Sequence, residues 1–344
     1  MGEGGMTYAK AGVDVEKIKK SHRALAELLE GTFKLREGKF GRVLTGIGHY
    51  AGLIDAGGGL AIALHADGVG TKTLIAKALR KYDTVGVDCV GMNVNDLICV
   101  GAEPVALVDY LAMDSYDEKL IMEVARGLAE GAEQAGAAVV GGETAVMPGL
   151  MNGFDLSAMS LGVVEKSRIV TGEAIKPGDA IIGLESSGIH SNGLTLARKV
   201  LLKSHGLENR LPGLESTLGE ELLKPTRIYV RPVLDVLKEC RVHGLAHVTG
   251  GAFSKLTRLK DGVGFRLDSM PEPPQIFKLI QRLGRVTDRE MYRTFNMGVG
   301  FCIIAPKEES QRVKEICEDR GVACRRVGEV VEEPGVFVKG VKVA

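Results

Sequence analysis

The sequence predicts an α/β (α+β) protein of two domains, each a mixed sheet with helices packed on it. Three observations carry this reading. The chain has 344 residues, too many for one ordinary core. In both halves short apolar strands alternate with amphipathic helical runs, the pattern of sheets covered by helices. Between the halves, Lys176-Pro177-Gly178-Asp179 is a turn signal, and a fresh apolar strand, Ala180 to Leu184, follows at once. The boundary is expected near residue 172, giving domains 1–172 and 173–344.

Each element has its own local reason. Residues 14–30 place Val15, Ile18, Leu25, Leu28 and Leu29 on one helical face before Gly31 stops them. A strand at 60–67 runs into Asp67, and helical runs follow near 72–82 and 86–100. A second strand covers 104–111. Ser115-x-x-Glu118 reads as a capping box for a long helix whose apolar face carries Leu120, Ile121, Val124, Leu128 and Ala132. Strands near 137–141 and 154–164 complete the first half. In the second half helices are expected near 192–204, 227–240, 275–283 and 307–320. Strands are expected near 243–249, 262–267, 297–305 and 322–342. The first-half strands are apolar on both faces: Leu60, Ile62 and Leu64 oppose Ala61 and Ala63, and Leu156 opposes Met159 and Leu161. Such strands need cover on both sides, and a second copy of the chain, related by a twofold axis, would cover the face the helices leave. A homodimer through the first domain is therefore expected.

Composition excludes several classes. The 44 basic and 44 acidic residues cancel, so no field recruits nucleic acid or anionic lipid. Tryptophan is absent and aromatics make up 5%, which disfavours a base-stacking surface. The six cysteines form no C-x-x-C pair, so buried free thiols are expected rather than zinc or disulfides. No apolar leader core and no span of membrane length is present, so a cytoplasmic, membrane-free protein is expected.

The densest chemistry lies in His65-Ala-Asp67-Gly68-Val-Gly70-Thr71-Lys72, at the end of an apolar strand. Asn93-Val-Asn95-Asp96 follows in a helical run, and Gly141-Gly142-Glu143-Thr144 at the end of a third strand. Three element ends thus offer carboxylates for a hard cation, bare backbone N–H groups and a lysine, which suits a magnesium-bound polyphosphate. A Walker A loop is excluded because Thr71 separates Gly70 from Lys72. Gly46-Ile-Gly48-His-Tyr-Ala-Gly52 has dinucleotide-fingerprint spacing, but the glycine-rich stretch after it opens no helix.

Further motifs extend the pattern over residues 8–305: Tyr8-Ala-Lys10-Ala-Gly, Gly101-Ala-Glu-Pro104, Gly188-Ile-His190-Ser-Asn192-Gly, Pro225-Thr-Arg-Ile-Tyr, His247-Val-Thr249-Gly-Gly and Glu290-Met-Tyr-Arg-Thr-Phe-Asn296. In this order and spacing they closely resemble the phosphoribosylformylglycinamidine cyclo-ligase (aminoimidazole ribonucleotide synthetase) family of purine biosynthesis. Two positions depart from the family's pattern: Val146 stands where a second acidic residue is usual, and Ala252 where a third glycine is usual.

The resemblance implies ATP and Mg2+ as cofactors and formylglycinamidine ribonucleotide as substrate, phosphorylated on its formamide oxygen so that the imidazole ring can close. It also implies a dimer whose first-domain sheets close into a shared barrel. Asp67 and Asp96 are expected to ligate magnesium, with Glu143 taking a second ion or a ribose hydroxyl. Lys72 is expected to hold phosphate, with Gly68, Gly70, Thr71, Gly142, Thr144 and Asn192 lining the nucleotide site. Lys10 belongs to a segment that folds over the phosphates. His190 and His247 are the acid–base candidates, and His190 through Asn192 open a helix whose N-terminus suits a ribose 5-phosphate. The histidines at 22, 49, 65 and 205 are given no role. Two rivals stand beside this reading: a small-molecule kinase or selenophosphate-synthetase-like enzyme of the same fold, and a nucleotide-binding module without turnover.

Overall fold

The computed structural model describes residues 5–13 and 15–344. The glycine-rich start before Gly5, Asp14, and the side chains of Val15 and Ile18 lie outside the described residues. The first half contains α1 (Val15–Glu30), β1 (Gly52–Gly57), β2 (Leu60–Gly68), α2 (Thr73–Leu79), α3 (Asp83–Ile98), β3 (Glu103–Met113), α4 (Glu118–Ala135), β4 (Ala138–Val146) and β5 (Phe154–Glu165). Its five strands run in the order β1-β2-β5-β3-β4. All neighbours are antiparallel except β3 and β4, which α4 joins by a crossover. Strand β1 was not anticipated. It pairs with β2 through the three-glycine turn 57–59, where every residue adopts positive φ.

The second half contains β6 (Ala180–Glu185), α5 (Leu194–Leu201), α6 (Leu218–Leu223), α7 (Val230–Glu239), β7 (Gly244–His247), β8 (Gly264–Leu267), α8 (Gln275–Gly284), α9 (Asp288–Thr294), β9 (Val299–Ala305), α10 (Ser310–Asp319), β10 (Cys324–Val331), β11 (Gly335–Val338) and β12 (Val341–Lys342). Its seven strands run β12-β11-β8-β10-β6-β9-β7, and only β8 and β11 pair in parallel. The stretch expected as one strand over 322–342 is three, divided by the turns before Gly335 and at Gly340. Among the described residues no helix is long and apolar enough to cross a membrane.

Helix α3 joins the halves. Every residue from Val85 to Ile98 is buried, the signature of a helix enclosed on all sides. One side of it lies under the inner face of the first sheet, where Ala61, Ala63, Leu107, Leu111, Leu156 and Ala158 are buried. Helix α4 crosses α3 at Gly86 and Gly127, where a Cβ on either glycine would strike the other helix's backbone. The capping box expected at Ser115 is absent. Asp117 is the N-cap and accepts from Leu120 N, while Ser115 Oγ donates to Asp114.

Candidate active site between the two halves

Strand alternation puts His65 and Asp67 on one face of β2, which runs out at Gly68. Asn93 of α3 fixes that end. Its Oδ1 accepts from Asp67 N at 3.1 Å and its Nδ2 donates to Asp67 O at 3.0 Å. The Asp67 carboxylate accepts from Gly68 N at 2.8 Å. Burial, and next the charge of Asp96, push the Asp67 carboxyl above its usual range.

Asp96 lies one helical turn beyond Asn93. Its Oδ1 is 2.7 Å from His247 Nδ1, and its Oδ2 is 3.5 Å from His65 Nε2. Burial alone would raise the Asp96 carboxyl, but the hydrogen bond and charge of His247, with Lys255 and His65, hold it below its usual range. His247 itself is wholly buried on β7, and burial lowers its pKa against the pull of Asp96. With Asn95 Nδ2 3.4 Å from Nε2, we assign the proton to Nδ1, giving a neutral imidazole that donates to an ionised carboxylate.

A second stripe of α3, Asp88, Gly91 and Asn95, receives the extended segment 224–229 from the second half. Asp88 Oδ1 accepts from Thr226 N and Thr226 Oγ1, at 2.7 and 2.6 Å. Asn95 donates to Arg227 O and accepts from Tyr229 N, both at 2.9 Å. A Cβ on Gly91 would stand 3.2 Å from Thr226 Cγ2, so the segment lies close against the helix backbone.

Lys72 belongs to this joint. Its Nζ is 2.7 Å from Asp88 Oδ2 and donates to Lys224 O at 2.6 Å, with both side chains fully enclosed. In this geometry the lysine expected on phosphate is the internal counter-ion of Asp88. His190 is likewise held inside. Its Nε2 accepts from Ser187 N at 3.2 Å, its backbone adopts φ +64°, and burial sends its pKa well below the usual value. The helix expected to open at His190 begins at Leu194, after Gly193.

At the seam between the halves, Asp67 and Thr71 of the first half lie near Lys255 and Thr195 of the second, and a Cβ on Gly250 would stand 2.9 Å from Asn192 Oδ1. Thr71 and Thr195 hydroxyls are 3.0 Å apart across the seam. Ala252, where a third glycine was noted as usual, has φ +42°, which explains why glycine suits the position. Lys10 is exposed and donates to Gly5 O at 3.0 Å. Its segment, expected to fold over the phosphates, is docked on the second half: Met6 N donates to Gly284 O at 3.0 Å and Tyr8 N to Glu290 Oε1 at 2.6 Å.

Gly142, Glu143 and Thr144 lie within exposed strand β4, not at a strand end. Ladder pairing aligns Gly68, Ser157, Tyr110 and Glu143 across four strands. That is three strand spacings, roughly 14 Å, so one chain's Asp67 and Glu143 do not share an ion. Among the described residues no three His, Cys, Asp or Glu side chains converge as a ready metal site.

Two cleft residues escaped the sequence reading. His65 carried a signal, since residues two apart on a strand share a face. Lys255 carried only its place after the Gly250-Gly251 turn. Its Nζ donates to Thr249 Oγ1 and lies 5.7 Å from the Tyr50 ring centroid.

Comparison with known proteins gives this cleft a family. Residues 48–164 match the model of the AIR synthase related protein, N-terminal domain, and residues 176–341 that of the C-terminal domain. The phosphoribosylformylglycinamidine cyclo-ligase of Thermococcus kodakarensis is 52% identical over 334 residues, covering 97% of this chain and 98% of its own. The chain belongs to the phosphoribosylformylglycinamidine cyclo-ligase family. The cyclo-ligase of Methanothermobacter thermautotrophicus is 48% identical over 95% of both chains. Membership makes the protein an enzyme of the cyclo-ligase class. Solved structures share the fold at low identity. Thiamine-monophosphate kinase from Stenotrophomonas maltophilia aligns with a TM-score of 0.61 at 20% identity, over 91% of this chain and 95% of that one. T. maritima PurL complexed with ADP aligns with a TM-score of 0.60 at 19% identity, over 88% of this chain and 45% of that one.

Proposed function

We propose that this cyclo-ligase family member uses ATP to close the imidazole ring of formylglycinamidine ribonucleotide, releasing aminoimidazole ribonucleotide, ADP and phosphate. An amide oxygen is a poor leaving group, and transferring the γ-phosphoryl to it makes it a good one. The amidine nitrogen then attacks the formamide carbon and phosphate departs. The observation that carries the reading, together with family membership, is the pair of carboxylates Asp67 and Asp96 at the floor of the cleft between the halves.

The donor set fits magnesium. Both groups are hard oxygen donors, and the charge of Asp96 helps to raise the Asp67 carboxyl, a repulsion that a dication relieves. Asp67 and Asp96 would hold the ion, which when bound neutralises charge on the transferring phosphoryl. His247 positions Asp96 rather than meeting substrate, because both ring nitrogens face protein groups. Gly68 N already donates to Asp67 and Val69 N to Leu156 O, so the backbone N–H groups of Gly70 and Thr71 serve the polyphosphate, with Asn192 opposite and the Lys10 segment closing over it.

The working unit in this reading is a homodimer. On the outer face of the first sheet Leu60, Tyr110 and Met159 are each more than 40% exposed, and their neighbours Ile62, Leu64, Val108, Leu161 and Val163 are half-buried. A contiguous apolar sheet face of this kind supports burial against a second copy.

ADP release measured with and without formylglycinamidine ribonucleotide, with the product identified, tests the reaction. ADP formation should depend on that substrate. Turnover on thiamine phosphate or selenide, with none on the ribonucleotide, would instead favour the small-molecule kinase reading.

A further inference from the structure

Lys72 is committed to Asp88 and Lys224 O, so the glycine turn brings no free ammonium to a phosphoryl group held at Asp67 and Asp96. The opposite wall does. Lys255 rises from the short helix Ala252–Arg258 and is half-buried. Its Nζ is held by Thr249 Oγ1 and the Tyr50 ring. Among the described residues no carboxylate lies within ion-pair distance of it, and the acidic side chains acting on it are Asp96 and Asp67 across the cleft. A hydroxyl and a π face steady an ammonium without neutralising it. Its charge therefore stays available to an anion that enters between it and the carboxylates.

We propose that Lys255 is a catalytic residue whose ammonium meets the phosphoryl group as it passes from ATP to the formamide oxygen. The proposal rests on the reaction given above. In that step the bond between the γ-phosphorus and its bridging oxygen breaks, and the electron pair leaves on ADP. The formamide oxygen forms the new P–O bond. The formamide nitrogen gives its proton to solvent as its oxygen is phosphorylated. The amidine nitrogen later bonds to the formamide carbon and gives up its own proton, phosphate leaves with the former formamide oxygen and the C–O electron pair, and a methylene proton shifts to the exocyclic nitrogen to complete the ring. Burial works against the Lys255 charge and Asp96 and Asp67 work for it; as the ammonium it transfers no proton and supplies charge where the oxygens become more negative.

The test compares Lys255→Met and Lys255→Arg in the full chain, reading MgATP binding by calorimetry, thermal midpoint, and substrate-dependent ADP release. Lys255→Met should lower kcat by about 100-fold, as loss of one fixed donor at a developing charge does. It should leave the MgATP Kd and the thermal midpoint essentially unchanged, and Lys255→Arg should recover much of the rate. A Lys255→Met kcat close to wild type overturns the proposal and leaves the reaction standing. Parallel loss of MgATP binding and turnover overturns it in favour of a nucleotide-binding role. A wild-type enzyme with normal MgATP binding and no ADP release on the ribonucleotide overturns the reaction and the proposal together. Should the Met variant fail to fold, Lys255→Gln, which can still donate to Thr249, is judged by the same outcomes.

Discussion

Asp96 gathers two interactions on one carboxylate: a hydrogen bond from His247 and the nearby His65. Asp96→Asn removes the charge and keeps the shape. It should lower turnover roughly 100-fold or more if the carboxylate holds the metal that clamps the phosphoryl group. Near-normal kcat at saturating magnesium would make Asp96 a structural residue. The buried histidines give a second prediction, in pH. Burial depresses the pKa of both His190 and His247. Below an ordinary histidine value of about 6.5, the unfolded chain takes up protons that the native chain refuses. Stability is therefore fully present above that value and falls as pH drops below it, by up to about 1.4 kcal/mol per pH unit for each histidine until its own lowered pKa is reached. Urea midpoints at pH 7.5 and 5.5 read this. His190→Asn, which tolerates the left-handed backbone, should flatten part of the slope; an unchanged slope would mean His190 does not contribute.

At the scale of elements, α3 serves as the seat of the site because its surface is divided into stripes. Asp88, Gly91 and Asn95 dock the segment 224–229, Asn93 and Asp96 face the strand end at Asp67, and the glycine crossing seats α4. A Cβ on Gly127 would collide with Asp83 O, a backbone atom that cannot rotate away. Gly127→Ala should then destabilise by about 1–3 kcal/mol through overpacking, and by separating α3 from α4 it should lower activity in step with stability. A thermal midpoint equal to wild type would show that the crossing can open without loss. The element boundaries were legible only where the cause is local. Gly136 stops α4 in a left-handed conformation, a local stop that the sequence reading left unused. The start of the same helix was misplaced because Ser115 and Asp117 are both competent caps, and the hydrogen bond that Ser115 makes to Asp114 chooses between them.

For the molecule as a whole, the outer face of the first sheet decides how the chain is used. If a second copy covers it, Met159→Lys should place a charge in that interface and give a monomer. Sedimentation at micromolar concentration should find twice the 36.7 kDa chain mass for the wild type and the single mass for the variant. A wild type that sediments only as one chain would reject the dimer. The join between the halves within one chain is secured differently, by buried polar contacts of α3 with Lys224 to Tyr229 and His247. Each of these groups would be left unpaired if the halves parted, so the cleft geometry is tied to the fold of both.

The sequence by itself determined the mixed sheet-and-helix architecture, the strand ending at Asp67 and the placing of Asp96 in a buried helix. Alternation, helical period and glycine turns act over a few residues and can be read in order. Tertiary structure alone decided which charges remain free. Lys72 and Lys255 each follow a glycine turn, and nothing local distinguishes them. Lys72 is neutralised because α3 brings Asp88 to 2.7 Å from its ammonium, while Lys255, on the short helix after the turn, is held by Thr249 Oγ1 and the Tyr50 ring instead of a carboxylate. Glu143 was drawn into the site by its motif and left out of it by sheet order, which puts two strands between β4 and β2. Pairings between distant segments are set by packing of the whole chain, and packing fixes where a charge finally lies.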